Sequence, residues 1–264
     1  MDDLQFRRML DRFGFSWSGF RKVRKGVKKR LAHHMQETGC RNIGEYLEAL
    51  ERNQEVRLQF ECLMTVSISR FFRDRGLWKT FQEEILPILA KAGQCVRVWS
   101  AGCASGEEVY SFKILWEGLR KTFAPLPVLS ILGTDLCPPY LERARAAVYP
   151  PSSMKEVPDA IRSAFFESMA GGKYALKPWI KEGVEWRVHD LLSGPPGTAF
   201  DLAFLRNNLL PYYKDEVKIP ALKKVVDSLA PGGFLIIGSH ERMPIEPPNL
   251  KPWRDSGDIF QKQR

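Results

Sequence analysis

The sequence contains little cysteine and histidine, and what it has is scattered. Its five cysteines form no C-x-x-C pair, and none of its four histidines has metal-ligand spacing with a cysteine or an acid. This pattern argues against a zinc knuckle and against a disulfide framework. We therefore expect no metal site, and a chain that works in the reducing cytoplasm.

Long apolar runs are also lacking. No segment approaches the roughly 18 consecutive apolar residues that a membrane-spanning helix needs, and no signal-peptide pattern opens the chain. We expect no membrane insertion. The 264 residues, 44% hydrophobic and 27% charged, are ordinary for a globular protein. They suffice for one large α/β domain with a small partner domain, which we expect to be monomeric.

The whole chain has a net charge of +9. One stretch, "FRKVRKGVKKR" at 20–30, contains seven basic residues and no acid. Apolar residues recur there at the spacing of an amphipathic helix: Phe20, Val23, Val27 and Leu31. The basic side chains would cover the remaining surface: Arg21, Lys22, Arg24, Lys25, Lys28 and Lys29. This surface is either a solvated helix face or a docking site for an acidic partner. Because no aromatic residues alternate with the bases, we favour an acidic protein segment and expect no nucleic acid.

The character of the chain changes near residue 90. Before it the patterns are helical, and after it short apolar strands alternate with helices, which predicts a mainly parallel sheet covered on both faces. The predicted strands are Cys95–Ser100, Val128–Thr134, Val184–Val188, Phe200–Phe204, Gly233–Gly238 and Asp258–Lys262. The Gly-Gly pair and short alternating runs of "ESMAGGKYALKPWI", at 167–180, predict a small β insertion.

The first predicted strand runs into "AGCASGEE", which lacks the G-x-G-x-x-G of dinucleotide-binding loops. Its small residues, Gly102 among them, would let a ligand approach the backbone closely. Glu107 and Glu108 suit the start of a helix, but they would repel a phosphate held there. We therefore expect a ligand that carries positive charge at this point.

Polar residues follow the next three predicted strands, and ligands of parallel sheets bind beyond the carboxyl ends of strands. Asp135 could accept hydrogen bonds from ribose hydroxyls, or it could cap the following helix. Asp190 and Asn207 could flank an adenine edge or a ligand amino group, or they could be loop caps. This layout is more typical of an S-adenosylmethionine methyltransferase than of an NAD enzyme.

Six ordered motifs make a resemblance specific: "FFRD" at 71–74, "RVWSAGCASGEEVYS" at 97–111, "ILGTDL" at 131–136, "LERARAAVYP" at 141–150, "FDLAFLRN" at 200–207 and "LAPGGFLIIGSHE" at 229–241. The chain resembles the chemotaxis receptor methyltransferases of the CheR type over nearly its whole length. The resemblance implies an all-helical N-terminal domain at 1–75. It also implies a Rossmann-like α/β methyltransferase domain at 76–264, with a small β-subdomain inserted at about 150–183.

The implied activity is methyl transfer from S-adenosyl-L-methionine to glutamate side chains of chemoreceptors, giving glutamyl methyl esters and S-adenosyl-L-homocysteine. Because a glutamate is ionised at neutral pH, its attack on a methyl group needs no general base. The resemblance places Arg73 beside the reactive end of the cofactor, where it could orient the substrate carboxylate. The alternative is that Arg73 caps a helix or pairs with Asp74. The implied cofactor contacts are Ser67, Ser69, Arg73, Gly102, Glu108, Asp135, Asp190, Leu191, Arg206 and Asn207.

The chain departs from the family pattern at three points. Ser67 and Ser69 replace the usual Asn-x-Thr, and Asp190 replaces an asparagine. In "RNNLLPYY", Pro211 occupies the position of the expected tyrosine, and Tyr212 follows it. Either the loop shifts to present Tyr212 as a catalytic residue, or the catalytic tyrosine is absent. Two alternatives therefore stay open: a methyltransferase of this type with another substrate, and a cofactor-binding regulatory protein without turnover.

Overall fold

The computed structural model describes residues 1–66, 69–254 and 256–263. Its helices are α1 (Asp3–Arg12), α2 (Trp17–Phe20), α3 (Arg24–Glu37), α4 (Ile43–Arg52), α5 (Gln54–Met64), α6 (Arg75–Thr80), α7 (Leu86–Leu89), α8 (Glu107–Gly118), α9 (Pro138–Ala146), α10 (Asp159–Phe165), α11 (Pro178–Lys181), α12 (Leu209–Tyr212) and α13 (Asp215–Asp227). Its strands are β1 (Cys95–Ala101), β2 (Val128–Asp135), β3 (Val148–Tyr149), β4 (Phe166–Ser168), β5 (Tyr174–Leu176), β6 (Val184–Val188), β7 (Phe200–Leu205), β8 (Leu229–Ile237), β9 (Leu250–Pro252) and β10 (Ile259–Lys262). None of the helices in these ranges is both long enough and apolar enough to cross a membrane.

The main sheet has seven strands in the order β6-β2-β1-β7-β8-β10-β9. The neighbours from β6 to β8 pair in parallel, whereas β10 is antiparallel to both β8 and β9. The α/β fold and all six predicted strands are confirmed, although β8 begins at Leu229 rather than Gly233. The short edge strand β9 was not predicted, because three residues ending in proline carry no strand pattern.

A second sheet is small and antiparallel, in the order β3-β5-β4, and it confirms the predicted β insertion. Between β4 and β5 the chain turns at Gly171 and Gly172, both with positive φ. β3 precedes the predicted start of the insertion near residue 150 and pairs with β5. The domain boundaries themselves, at 75/76 and at about 150–183, stay predictions.

The central strands are apolar on both faces because helices cover both sides of the main sheet. Val96 and Val98 of β1 pack into a core with the buried face of α8, whereas Trp99 and Ala101 pack into a second core with α13. Since the parallel strands all end at one edge, the loops that follow them converge there. That edge holds the candidate site.

The N-terminal helices enclose a third core of their own, formed largely by buried aromatic and aliphatic side chains: Phe6, Phe20, Leu31, Tyr46, Phe60 and Met64. Backbone hydrogen bonds attach these helices to the segment after β7. Ser16 N donates to Tyr212 O at 2.8 Å, and Lys214 N donates to Gly14 O at 2.9 Å. The helical region is therefore fixed against α12, which carries Tyr212.

The basic run is not one helix, so that prediction is wrong. α2 ends at Phe20 and α3 begins only at Arg24, which leaves Arg21 and Lys22 in the turn between them. Phe20 already packs beside Tyr212, and the chain must turn before α3 can bring Val27 into the same core. Of the four predicted apolar positions, Phe20, Val27 and Leu31 are at most 1% exposed, whereas Val23 is partly buried against the same core.

The cysteine pattern argued against a disulfide framework, but the described residues do contain one disulfide. Cys62 in α5 is bonded to Cys137, which directly precedes α9, across 75 residues of sequence. Sequence spacing cannot show such a pair, because only tertiary packing brings the end of α5 to the start of α9. Cys40, Cys95 and Cys103 are free thiols.

Candidate functional site

Two adjoining chambers form one cleft beyond the carboxyl ends of β1, β2, β6 and β7. The wide chamber encloses about 810 Å³, its open mouth included, and its wall is largely apolar, with Phe15, Phe20, Met64, Leu191 and Leu192 among its residues. The narrow chamber encloses about 470 Å³ and is polar, with Ser69, Arg70, Arg73, Glu108 and Arg206 in its wall. Val66, Gly102, Ala104 and Asn207 border both chambers. A ligand with an apolar ring at one end and charged groups at the other would match this cleft.

The loop after β1 forms the wall between the chambers. Gly102 has a φ of +70°, and a Cβ there would lie 2.3 Å from Asn208 Nδ2, so only glycine fits. Asn208 in turn donates to the carbonyl of Ala101. Ala104, also in the left-handed region, donates its N–H to Asp135 Oδ2 at 2.9 Å. The backbone of this loop is thus held in place next to the ligand space.

Asp135 lies at the end of β2, and it is only 6% exposed. Its two oxygens accept from Ala104 N at 2.9 Å and from Cys137 N at 3.0 Å. Burial raises the pKa of this carboxyl, and the backbone hydrogen bonds oppose that rise. Each carboxylate oxygen has a second lone pair, so Asp135 can still accept hydrogen bonds from a ligand in the wide chamber.

The narrow chamber is organised by Arg206, which is 7% exposed. Its Nη1 donates to Glu108 Oε2 at 2.9 Å, and its Nη2 donates to Asp74 Oδ2 at 2.7 Å. Glu108 also accepts from Ser100 Oγ at 2.8 Å. Glu107, the other acid at the start of α8, is buried away from the chamber and accepts from Ser153 Oγ. Of the two glutamates, Glu108 is the one that faces the ligand space.

Arg73 is held by its backbone as well as by its side chain. Its carbonyl accepts from Trp78 Nε1 at 2.8 Å and from Arg206 Nη2 at 3.1 Å. Its flanking residues, Phe72 and Asp74, both have positive φ, a conformation that costs a non-glycine residue roughly 1–3 kcal/mol. Its own Nη2 donates to Asn207 Oδ1 at 3.1 Å. The hydrogen bonds to the Arg73 carbonyl fix its backbone, and the bond to Asn207 then fixes where its guanidinium lies.

Tyr212 lines the wide chamber, with its ring centroid 5.0 Å from that of Phe20. α12 ends at Tyr212, directly after Pro211, so the segment does present this tyrosine to the cleft. Burial raises the pKa of Tyr212, the Arg73 guanidinium lowers it, and the Glu241 carboxylate raises it. The phenol is thus within electrostatic reach of Arg73, and it stays protonated at neutral pH.

The structure brings the predicted site residues together, apart from Ser67, which lies outside the described residues. Both Asp190 and Leu191 line the wide chamber. Asp190 also acts as a loop cap, because its Oδ1 accepts from Leu192 N at 2.9 Å. The role of each residue toward a ligand stays a prediction. Within the described ranges, no three His, Cys, Asp or Glu side chains are grouped to hold a metal ion.

Two residues of the cleft, and one beside it, were not predicted from the sequence. Glu241, beside the cleft, follows β8 and accepts from Asn207 N at 3.1 Å, and its place after a strand end is a signal that the sequence does carry. Thr65 and Tyr140 line the wide chamber and lie 3.3 Å apart, Oγ1 to the phenol oxygen. No sequence signal marks this pair, because it arises from the packing of α5 against α9.

Residues 67–255 match the family model described as "CheR methyltransferase, SAM binding domain". A chemotaxis protein methyltransferase of Listeria innocua is 34% identical over 248 residues, which cover 92% of this chain and 90% of that protein. Chemotaxis protein methyltransferase 1 of Pseudomonas aeruginosa is 32% identical over 225 residues, which cover 82% of this chain and 81% of that protein.

A crystal structure of the N-methyltransferase NodS from Bradyrhizobium japonicum with S-adenosyl-L-homocysteine aligns with a TM-score of 0.35 and 18% identity. The alignment covers 73% of this chain and 71% of NodS, and at that level it carries no weight for function. The family model and the two relatives decide the assignment, and they agree with the motifs of the sequence and the cleft of the structure. The chain belongs to the CheR family of chemotaxis methyltransferases, and it is an S-adenosylmethionine-dependent methyltransferase.

Proposed function

We propose that this methyltransferase esterifies glutamate side chains in the cytoplasmic domain of a chemoreceptor. The observation that carries the proposal is the position of Arg73, anchored at the polar end of the cleft within electrostatic reach of the Tyr212 phenol. These two groups can hold a carboxylate, and a carboxylate needs no base to become a nucleophile. The names of the relatives, chemotaxis protein methyltransferases, support a receptor as the substrate.

The two chambers suit the two ends of S-adenosylmethionine. The apolar wide chamber would take the adenosine, with Asp135 accepting from the ribose and with Asp190 and Leu191 beside the adenine. The narrow chamber would take the amino-acid end, where Glu108 attracts the ammonium. Gly102, Asn207 and Ser69 would border the methionine part, and Ser67 would contact it as well, as the family pattern implies. The cofactor supplies a methyl group on a positively charged sulfur.

The residues of the chain would then act by positioning. Arg73 donates paired hydrogen bonds to the substrate carboxylate and keeps one oxygen aimed at the methyl carbon. Tyr212, whose phenol is protonated at neutral pH, would donate to the same carboxylate. The substrate oxygen would bond to the methyl carbon as the methyl–sulfur bond breaks, and the electron pair of the broken bond would stay on the sulfur. Orientation and electrostatics supply the rate enhancement, and no proton is transferred.

Part of the basic run is free to meet an acidic receptor segment. Arg21, Lys22, Lys25 and Lys29 are exposed. Arg24 and Lys28 instead bind Asp3, at 3.2 and 2.7 Å. We define the exposed set, Arg21, Lys22, Lys25 and Lys29, as the basic surface. It would dock the acidic segment of the receptor in the cytoplasm, where we expect the chain to act as a monomer.

Radiolabelled methyl transfer to purified chemoreceptor cytoplasmic fragments tests the proposal. Wild-type protein should attach base-labile label, as expected for a glutamyl ester, and a fragment whose methylated glutamates are changed to glutamine should stay unlabelled. Tyr212→Phe should lose most of the transfer, because the phenol hydrogen bond is gone. Equal labelling by Tyr212→Phe would remove this tyrosine from the mechanism.

A second candidate function is methylation of another acidic protein. It is favoured by the Asp190 and Pro211 departures, since Asp190 lines the cleft and Pro211 directly precedes Tyr212, which also lines it. If no receptor fragment accepts label but another acidic protein gains a base-labile methyl group, the substrate assignment is wrong and the chemistry stands. If the cofactor binds and no protein accepts label, the chain is a regulatory protein without turnover.

A further inference from the structure

The motif "GSHE", which directly follows β8, ends at a partly buried acid that the proposed mechanism does not use. Glu241 accepts a hydrogen bond from Asn207 N at 3.1 Å and another from Gly238 N. A Cβ on Gly238 would lie 2.7 Å from Glu241 Oε2, so the glycine leaves room for the carboxylate. Glu241 therefore joins the end of β8 to the end of β7.

The residue that Glu241 holds has an unusual backbone conformation. Asn207 has a φ of +58°, in the left-handed region that asparagine tolerates better than most residues. In this conformation its Oδ1 accepts from Arg73 Nη2 at 3.1 Å. A chain of two hydrogen bonds thus runs from the Glu241 carboxylate, through the Asn207 backbone and side chain, to the Arg73 guanidinium.

The electrostatic interactions of Glu241 also connect it to the groups proposed to hold the substrate. Burial raises the pKa of its carboxyl, while the N–H groups of Asn207 and Gly238 and the charge of Arg206 oppose that rise. The carboxylate also acts electrostatically on the Tyr212 phenol, which Arg73 influences with the opposite sign. Glu241 is therefore near both groups proposed to hold the substrate, although it contacts the backbone and not the ligand space.

We propose that Glu241 is a positioning residue for methyl transfer. Its carboxylate keeps Asn207 in the left-handed conformation, and Asn207 then aims Arg73 at the substrate carboxylate. This inference rests on the role proposed for Arg73. It predicts that a change at Glu241 slows the transfer step while the cofactor still binds.

A double-mutant cycle tests this coupling. Glu241→Gln keeps the shape of the side chain but loses one acceptor oxygen, and Asn207→Gly keeps the backbone conformation but loses the contact with Arg73. Each change should lower kcat about tenfold or more, and Glu241→Gln, which alters no cofactor contact, should leave the cofactor Kd within about twofold of wild type. Because both act through Arg73, the double variant should lose no more than the worse single variant. Glu246→Gln, an exposed acid on the same loop, should match wild type.

Gly238→Ala is a second route to the same displacement, because its methyl group pushes directly on the Glu241 carboxylate. It should lower kcat as Glu241→Gln does, and it keeps the proposal testable if Glu241→Gln folds poorly. Wild-type kcat in both variants, or losses that add in the cycle, would overturn the role of Glu241. If Arg73→Ala loses turnover while those variants do not, only this inference fails. If Arg73→Ala itself turns over normally, the role of Arg73 fails first.

Discussion

The chain has two concentrations of charge, and they are built in opposite ways. In the narrow chamber Arg206 is 4% exposed at its side chain and pairs with Asp74 and Glu108, which are 20% and 15% exposed. The basic surface is open to solvent, and its charges lie close together in sequence. Buried charges with matched partners fix geometry, whereas exposed charges of one sign act at a distance and are screened by salt. One set therefore suits the reacting centre, and the other suits the recognition of a partner.

The largest effect on stability should follow from replacing Arg206, because it pairs with both Asp74 and Glu108. Arg206→Met keeps much of the side-chain volume but leaves two carboxylates without their partner, so the free energy of unfolding should fall by about 3–5 kcal/mol. Arg206→Lys should lower the free energy of unfolding by less, because lysine keeps the positive charge although it lacks the two guanidinium nitrogens that donate to separate carboxylates. Denaturant unfolding measures both.

An exposed ion pair offers the matched control for this loss. Arg12 and Glu51 are 50% and 44% exposed, and Arg12→Met should cost no more than about 1 kcal/mol. Equal losses at Arg206 and Arg12 would show that burial does not distinguish the two kinds of charge in this protein.

Asp135 is a third case, a buried carboxylate bound by backbone N–H groups rather than by a cation. Asp135→Ala should weaken S-adenosyl-L-homocysteine binding about tenfold or more, since a hydrogen bond to a charged group contributes roughly 1.5–3 kcal/mol. Calorimetric titration measures this, with Asp135→Asn as the control that keeps one acceptor oxygen. Unchanged affinity in a folded Asp135→Ala protein would remove Asp135 from the ribose site.

The smallest effect should come from the basic surface. Reversing Lys22, Lys25 and Lys29 to Glu should weaken the binding of a receptor fragment several-fold at low salt and flatten its salt dependence. Lys28 is left unchanged because it pairs with Asp3. Reversal of three exposed lysines elsewhere, Lys155, Lys223 and Lys251, makes the same change in net charge and should have less effect. If both triple variants bind alike, the basic surface is only a solvated face.

The same contrast explains how much of the molecule could be predicted from the sequence. The strands follow from apolar periodicity, and Gly102, Asp135 and Asn207 follow because parallel strands end at one edge. The basic run is visible because its residues are contiguous. The break between α2 and α3 was not visible, because the packing of Phe20 against the segment after β7 decides it.

Contacts between residues far apart in the sequence could not be predicted either, because only the tertiary packing brings those residues together. Arg206 meets Glu108 across 98 residues and Asp74 across 132, and no spacing rule relates those positions. The Cys62–Cys137 bond is equally invisible in the sequence. The family pattern could place an arginine at 73, but the hydrogen bonds that hold its backbone appear only in the fold.

The most direct test compares two quantities in Arg73→Ala: turnover on a receptor fragment and affinity for S-adenosyl-L-homocysteine. If the anchored charges at the polar end of the cleft position the reacting carboxylate, kcat should fall by about a hundredfold or more. The variant should still bind S-adenosyl-L-homocysteine, and its melting temperature should stay near the wild-type value. Wild-type turnover in Arg73→Ala would contradict this mechanism, and so would a loss of turnover that is fully explained by lost cofactor binding.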